Sequence, residues 1–374
     1  MVGTIAAEGV AIANDRLEAA WELLEVGAEA GAFGGAVALI QWHGRTVFHR
    51  ATGWAVREPA EERTPMAPDT IFDLASLTKV VATTPAILRL VAAGRIGLDQ
   101  PVGEILSEFG TESQKAGMTI RRLLAHTSGI VGWRGVYVDG VGPDAYIANF
   151  ARDQPEMMPG EQVVYSCPGF ILLGEVVRRV TGEPVASYAA REVFGPLAMK
   201  DSMFTPPDAL RERIAATEIG NWHEQTMVTG EPVNGGWRRH LLRGGVHDGN
   251  AWYGFGGVGA NAGLFGTATD LARYGQMWLN GGEVDGVRIL PEELVRAAVS
   301  EQTGLAAPNQ RRGLGWQLAP RSREEGANHS ARGLATRAFG HTGFTGTSLW
   351  MDPERELAIV LLTNRVHPSV RNDY

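Results

Sequence analysis

The chain has 374 residues, 44% of them apolar and 20% charged, and a formal net charge of −8. That composition describes a folded protein with a sizeable core and argues against nucleic acid as a partner, because negative charge opposes phosphate. The single cysteine, Cys167, excludes an intramolecular disulfide framework and any cysteine-based metal centre.

A capping Asn14 or Asp15, followed by Leu17, Trp21, Leu24 and Ala28 at steps of three and four, predicts a helix ending near Gly31. The runs GGAVALIQW and RTVFHRATGW flank His43-Gly44, which is the pattern of a β-hairpin on a two-residue turn. Three prolines and several charges between 56 and 70 predict a surface connection. From Ser76 to Gly94 the pattern is helical, with Gly94 as a C-cap and Pro85 predicting a kink or break after the second turn. The stretch to about 255 reads as helices joined by turn-rich loops: TIRRLLAH, GPDAYIANFARD, GFILLGEVVRRVTG and ASYAAREVFGPL. A glycine-rich passage leads to a helix through DLARYGQMWLNGG. Strands then return in RGLGWQLAP, TGTSLWMD and ELAIVLLTN, with a turn at Asp352-Pro353 between the last two. Strands at both ends with helices between predict one sheet lobe built from residues 1–72 and 256–374. A mostly helical lobe, 73–255, is inserted, with the active site in the cleft between them.

No apolar run approaches the ~20 residues of a membrane-spanning helix. The N-terminus lacks a basic start and a continuous apolar stretch and is acidic by Glu8. As it stands the sequence reads as cytoplasmic, or extracytoplasmic if a leader is missing.

Three stretches carry candidate chemistry. In IFDLASLTKV, Ser76 and Lys79 are three apart at a helix start, so the amine reaches the hydroxyl on one face. The helix N-terminus favours a neutral lysine and an anionic intermediate. A capping serine followed by a surface lysine is the commoner meaning of that spacing. In PGEQVVYSCPGFILLG, Tyr165 enters from a loop and can carry a proton between nucleophile and leaving group, or simply pack at a helix start. In FGHTGFTGTSLWM, read as a strand with a histidine at its head, glycines leave room for a substrate along the strand edge and expose backbone N–H groups to an oxyanion.

In their order these motifs resemble the penicillin-recognising serine hydrolases, the superfamily of DD-peptidases, class C β-lactamases and related esterases. FDLASLTKV, LLAHTSGI at 123–130, PGEQVVYSCPGFILLG, FGPLAMKDSMF at 194–204 and GHTGFTGT at 340–347 carry the resemblance. GGVHDGNAW at 244–252 is similar to the branch of penicillin-binding proteins close to class C β-lactamases. The likeness runs from about residue 30 to about 368. It implies an α+β fold, an antiparallel sheet flanked by helices with an inserted helical lobe. By the same resemblance Ser76 is the acylated nucleophile, Lys79 its base partner and Tyr165 the proton shuttle. His341, Thr342 and Gly343 stand where the family has Lys-Thr-Gly, and the amides of Ser76 and Phe344 form the oxyanion hole. A small-molecule or peptide substrate and no metal or organic cofactor are implied.

Two departures bear on the substrate. Cys167 replaces the asparagine of Tyr-x-Asn and cannot offer an amide's donors and acceptor, and it reads equally as a small buried residue without a role at the site. His341 replaces lysine, so a fixed cation is lost at neutral pH. A peptide-, amide- or ester-cleaving serine hydrolase is therefore the leading expectation, with a penicillin-binding or sensor module that acylates without turnover as the alternative. His247-Asp248, His126, His240 and His329 match no compact metal-ligand spacing, and Glu161 sits in a Pro-Gly-Glu turn where solvent is its natural partner. The family fold ends with a helix on the sheet, whereas this chain stops at VRNDY soon after a strand. An apolar sheet face is therefore expected to be exposed unless a partner covers it.

Overall fold

The computed structural model describes residues 14–110, 115–155, 157–304, 310–322 and 330–370. The N-terminal stretch before residue 14, His329 and the chain end from residue 371, on which three of the expectations above rest, lie outside the described residues.

Helix α1 (Asn14–Glu29) turns Trp21 and Ala28 inward, and the Trp21 ring meets Phe48 edge-on at 5.6 Å. Strands β1 (Gly35–Trp42) and β2 (Arg45–Val56) form the expected hairpin. His43 at φ 47 and Gly44 at φ 73 supply the two left-handed residues that its turn requires. The connection after β2 contains a short strand, β3 (Thr64–Pro65), paired with β2. After β4 (Phe72–Asp73) the helix begins at Leu77, and the predicted break takes the form of a wide π turn over Lys79–Thr83. There the Thr84 amide reaches back five residues to the Lys79 carbonyl, Pro85 follows in α2 (Thr84–Ala92) without an N–H to donate, and the Val80 carbonyl accepts from the Tyr274 hydroxyl instead.

The middle of the chain is helical, with α3 (Ile120–Leu124), α4 (Gly142–Arg152), α5 (Cys167–Thr181) and α6 (Val185–Ala189). Strand β5 (Met203–Phe204), α7 (Trp222–Gln225), β6 (Leu264–Gly266) and α8 (Ala268–Leu279) follow. The small hairpin β7 (Glu283–Val284) and β8 (Val287–Arg288), helix α9 (Glu292–Ala298) and β9 (Gln317–Leu318) lead to β10 (Phe339–Gly343), β11 (Thr347–Asp352) and β12 (Leu357–Thr363). Two expectations need correction. FGHTGFTGTSLWM is not one strand but a hairpin, β10 and β11, pivoting on residues 344–346. Only Gln317 and Leu318 of RGLGWQLAP are extended into a strand.

The fold is α+β, and its main sheet has seven strands in the order β3-β2-β1-β12-β11-β10-β9 with antiparallel pairing throughout. Val37 and Leu39 face the same side as Val360, Leu362, Leu349 and Met351, and α8 closes that side with Leu271, Tyr274 and Trp278. Each such side chain stabilises the fold by about 1.5–3 kcal/mol. On the opposite side α1 covers β1 and β2, while Ile359 and Leu361 of β12 remain half-buried. A second sheet, β4-β6-β5, ties the segment before Ser76 to the glycine-rich passage. No helix among the described residues is long and apolar enough to cross a membrane.

Candidate active site

Ser76 follows a backbone kink. Ala75 is held at φ 45, a costly conformation for a residue with a Cβ, and two bonds maintain it. Asp73 Oδ1 accepts from the Ala75 amide at 2.9 Å, and Asp73 Oδ2 accepts from the His247 amide at 2.7 Å. The helix after Ser76 takes no side-chain cap; instead the Ser76 Oγ accepts from Lys79 Nζ at 3.0 Å. Lys79 is fully buried, and its ammonium also donates to the Asn261 carbonyl at 2.9 Å and meets Cys167 Sγ at 3.5 Å.

Tyr165 comes from a loop anchored on three sides. The Val164 amide donates to the His126 carbonyl, the Ser166 amide to His126 Nδ1 at 3.0 Å, and the Cys167 amide to the Gly132 carbonyl. Ser166 caps α5 through the Gly169 amide at 3.0 Å, which fixes Cys167 as the first helical residue. Lys79 Nζ lies 5.0 Å from the Tyr165 ring centroid, and the His126 ring packs on it at 4.6 Å. His126 is thus a loop holder.

His341 on β10 is buried, its Nδ1 donates to the Thr342 carbonyl at 2.7 Å, and it reaches the site through Tyr165, ring to ring at 5.8 Å. The Thr342 side chain is exposed. Gly343 is required by space: a Cβ there would lie 2.5 Å from the Leu74 carbonyl oxygen and also strike Thr347 Oγ1. Thr345 Oγ1 donates to the Asp73 carbonyl at 2.7 Å and Thr347 Oγ1 to the Leu74 carbonyl at 3.0 Å, so the β10–β11 hairpin is bolted to the Ser76 segment. Phe344 stacks on His223 at 5.1 Å and on His247 at 5.7 Å.

Ser76, Tyr165, Cys167 and Phe344 line one cavity of about 380 Å³ together with Trp133, Met227, His223, Glu224, His247 and Asp248. No lysine or arginine contributes to that lining. Burial, followed by the charges of Arg312 and Lys79, drives the His341 pKa down to about 3, so the ring is neutral. Burial raises the Cys167 thiol, keeping it protonated at neutral pH. Burial, reinforced by Asp248, lifts Glu224 to about 7. For Lys79, burial is the largest influence and works against the ammonium, while Cys167 and then Tyr165 favour it only when they are themselves ionised. What the geometry shows is that Lys79 Nζ holds the Ser76 oxygen by a hydrogen bond.

Of the sequence-predicted residues, Ser76, Tyr165, Cys167 and Phe344 line the cavity, Lys79 reaches it through Ser76 and His341 through Tyr165, and Thr342 and Gly343 lie outside the lining. Sequence reasoning missed Asp73, Asn261 and Arg312. The Asp two residues before Ala75 is an Asx-turn signal; nothing local marks the other two. Of the metal candidates, the His247 ring pairs with Glu218 at 3.0 Å and His240 is exposed. Among the described residues no cluster suits a metal ion. Glu161 is exposed and caps its own turn through the Met158 amide.

A family model described as Beta-lactamase matches residues 17–374. The "N-acetylmuramyl-L-alanine amidase" of Bacillus subtilis (strain 168) is 30% identical over 395 aligned positions, covering 98% of this chain and 85% of that protein. A Salmonella agona protein named "Putative D-alanyl-D-alanine carboxypeptidase" is 30% identical over 81% of this chain and 71% of its own length. Among solved structures, "EstCE1, a hydrolase with promiscuous acyltransferase activity" superposes with a TM-score of 0.72 at 22% identity, covering 95% of both chains, which is a likeness of fold.

Proposed function

The chain belongs to the beta-lactamase family of serine hydrolases, and on that premise we propose that it cleaves a peptide, amide or ester through an acyl-enzyme on Ser76. The observation that carries this reading is the Lys79 ammonium 3.0 Å from a Ser76 oxygen raised on a kinked turn at the floor of a cavity. In the first step Ser76 Oγ bonds to the substrate carbonyl carbon while its proton passes to Tyr165, with Lys79 holding the oxygen in place. The carbonyl oxygen becomes an oxyanion against the amides of Ser76 and Phe344. Collapse breaks the bond to the leaving amine or alkoxide, which takes the proton from Tyr165. Water then attacks the acyl ester by the reverse proton path and frees Ser76. The substrate enters between the sheet lobe, 1–72 with 256–374, and the helical lobe, 73–255.

The neutral His341 and a cavity wall bearing Glu224 and Asp248 favour neutral or amine-bearing acyl donors over carboxylates. Turnover of a neutral activated ester against its carboxylate-bearing analogue, in wild type and Ser76→Ala, tests both parts. The reading requires preference for the neutral ester and loss of turnover in the variant. Turnover that survives in Ser76→Ala contradicts it. A second reading, a module that acylates without turnover, is supported by the thiol at position 167, where an amide donor is absent. It requires a stoichiometric acyl adduct that persists.

A further inference from the structure

The site leaves one half-buried cation, Arg312, with two guanidinium nitrogens unexplained. Arg312 lies just before β9, and its backbone is fixed by its amide, which donates to Thr303 Oγ1 at 3.2 Å, and by its carbonyl, which accepts from Gln302 at 2.7 Å. Its guanidinium carbon sits 5.5 Å from the centroid of the Tyr165 ring. Nε and Nη1 are sealed from solvent, and no acceptor lies within hydrogen-bonding distance of either. Among the described residues no carboxylate pairs with it, and burial lowers its pKa. A packing role alone does not account for this, since an aliphatic side chain would fill the space without the desolvation cost of a guanidinium.

The other groups that face Tyr165 narrow the role. Lys79 approaches from the π turn before α2, His126 from the end of α3, His341 from β10 and Cys167 from the first turn of α5, with Asp248 across the cavity. His126 and His341 are held neutral, each by burial first and by the Arg312 charge second. Lys79 divides its contacts among Ser76 Oγ, the Asn261 carbonyl, Cys167 Sγ and Tyr165. Arg312 is the second cation beside the ring and the one whose charge is permanent.

We infer that Arg312 is a positioning residue for Tyr165, whose guanidinium supplies the fixed positive charge that His341 does not and so stabilises the phenolate form that accepts the Ser76 proton. The inference rests on the reading of Tyr165 as proton shuttle. The charge acts through space on the tyrosine oxygen and does not itself touch substrate.

The test is the pH dependence of kcat/KM on a neutral activated ester for wild type, Arg312→Gln, Arg312→Met and Arg312→Lys. It is paired with ultraviolet difference titration of Tyr165, taken against Tyr165→Phe. In Arg312→Gln and Arg312→Met the acid limb of the profile and the Tyr165 titration both move up by about one pH unit, with a roughly tenfold loss at neutral pH, and Arg312→Lys restores both. Arg312→Met keeps the stem's packing, so a folding failure of one neutral variant leaves the other to decide. An unmoved titration in a folded neutral variant, or a lysine variant that shifts as far as the neutral ones, overturns the inference. Wild type without Ser76-dependent turnover would instead refute the proposed function, and the titration would still decide on Arg312.

Discussion

At the scale of single residues, Ser76 is set apart from a capping serine by the direction of its oxygen, which accepts from Lys79 while the helix goes uncapped. Tyr165→Phe is expected to lower kcat/KM by about 10²–10⁴-fold with KM little changed, because the phenol acts on a proton in flight; steady-state kinetics check it. Cys167 is protonated and offers the site no amide. Cys167→Asn should therefore raise the ratio of amide to ester turnover by severalfold, measured on matched substrates, and an unchanged ratio would remove Cys167 from substrate recognition. Ser76 and Lys79 were legible because their meeting depends only on the spacing of adjacent turns. Arg312 was not, because it reaches Tyr165 from a loop almost 150 positions away in the chain, a distance that no local pattern encodes.

Among the elements, the β10–β11 hairpin carries Phe344 into the wall of the cavity. Its glycine-rich sequence looks like one strand with small residues, yet Thr345 and Thr347 reach past it to the carbonyls of Asp73 and Leu74 and bend it into a clamp. Gly343→Ala would drive a methyl into the Leu74 carbonyl and Thr347, so it should cost about 1–3 kcal/mol and slow acylation by pushing Phe344 away from Ser76. Chemical denaturation and single-turnover kinetics measure the two effects. The hairpin β1–β2 and helices α1 and α8 were readable from alternation, turn residues and period. The π turn over Lys79–Thr83 was not, since Pro85 signals an irregularity without fixing its form.

For the whole molecule, one continuous core runs from Val37 and Leu39 in the sheet through Val80 and Leu88 to Leu172 and Val176 in the helical region. Events at the site are therefore coupled to global stability. Burial, with nearby cations, holds His341 at about 3 and lowers His126, and burial lowers His367 despite its bond to the Thr217 carbonyl. Below the usual histidine pKa of about 6.5 the unfolded chain takes up protons that the fold refuses. Stability must fall as pH drops from about 6.5 towards 3, by up to about 1.4 kcal/mol per pH unit for each such group. His341→Gln should flatten the acid side of a Tm–pH curve relative to wild type, and an identical slope would show that His341 is not buried neutral. The central claim, a covalent acyl-enzyme on Ser76, is tested most directly by intact mass spectrometry of the protein quenched after brief mixing with an activated ester. The account predicts one added acyl mass, located by peptide mapping to Ser76 and absent from Ser76→Ala; an adduct on Cys167 instead, or one that survives in Ser76→Ala, would contradict it.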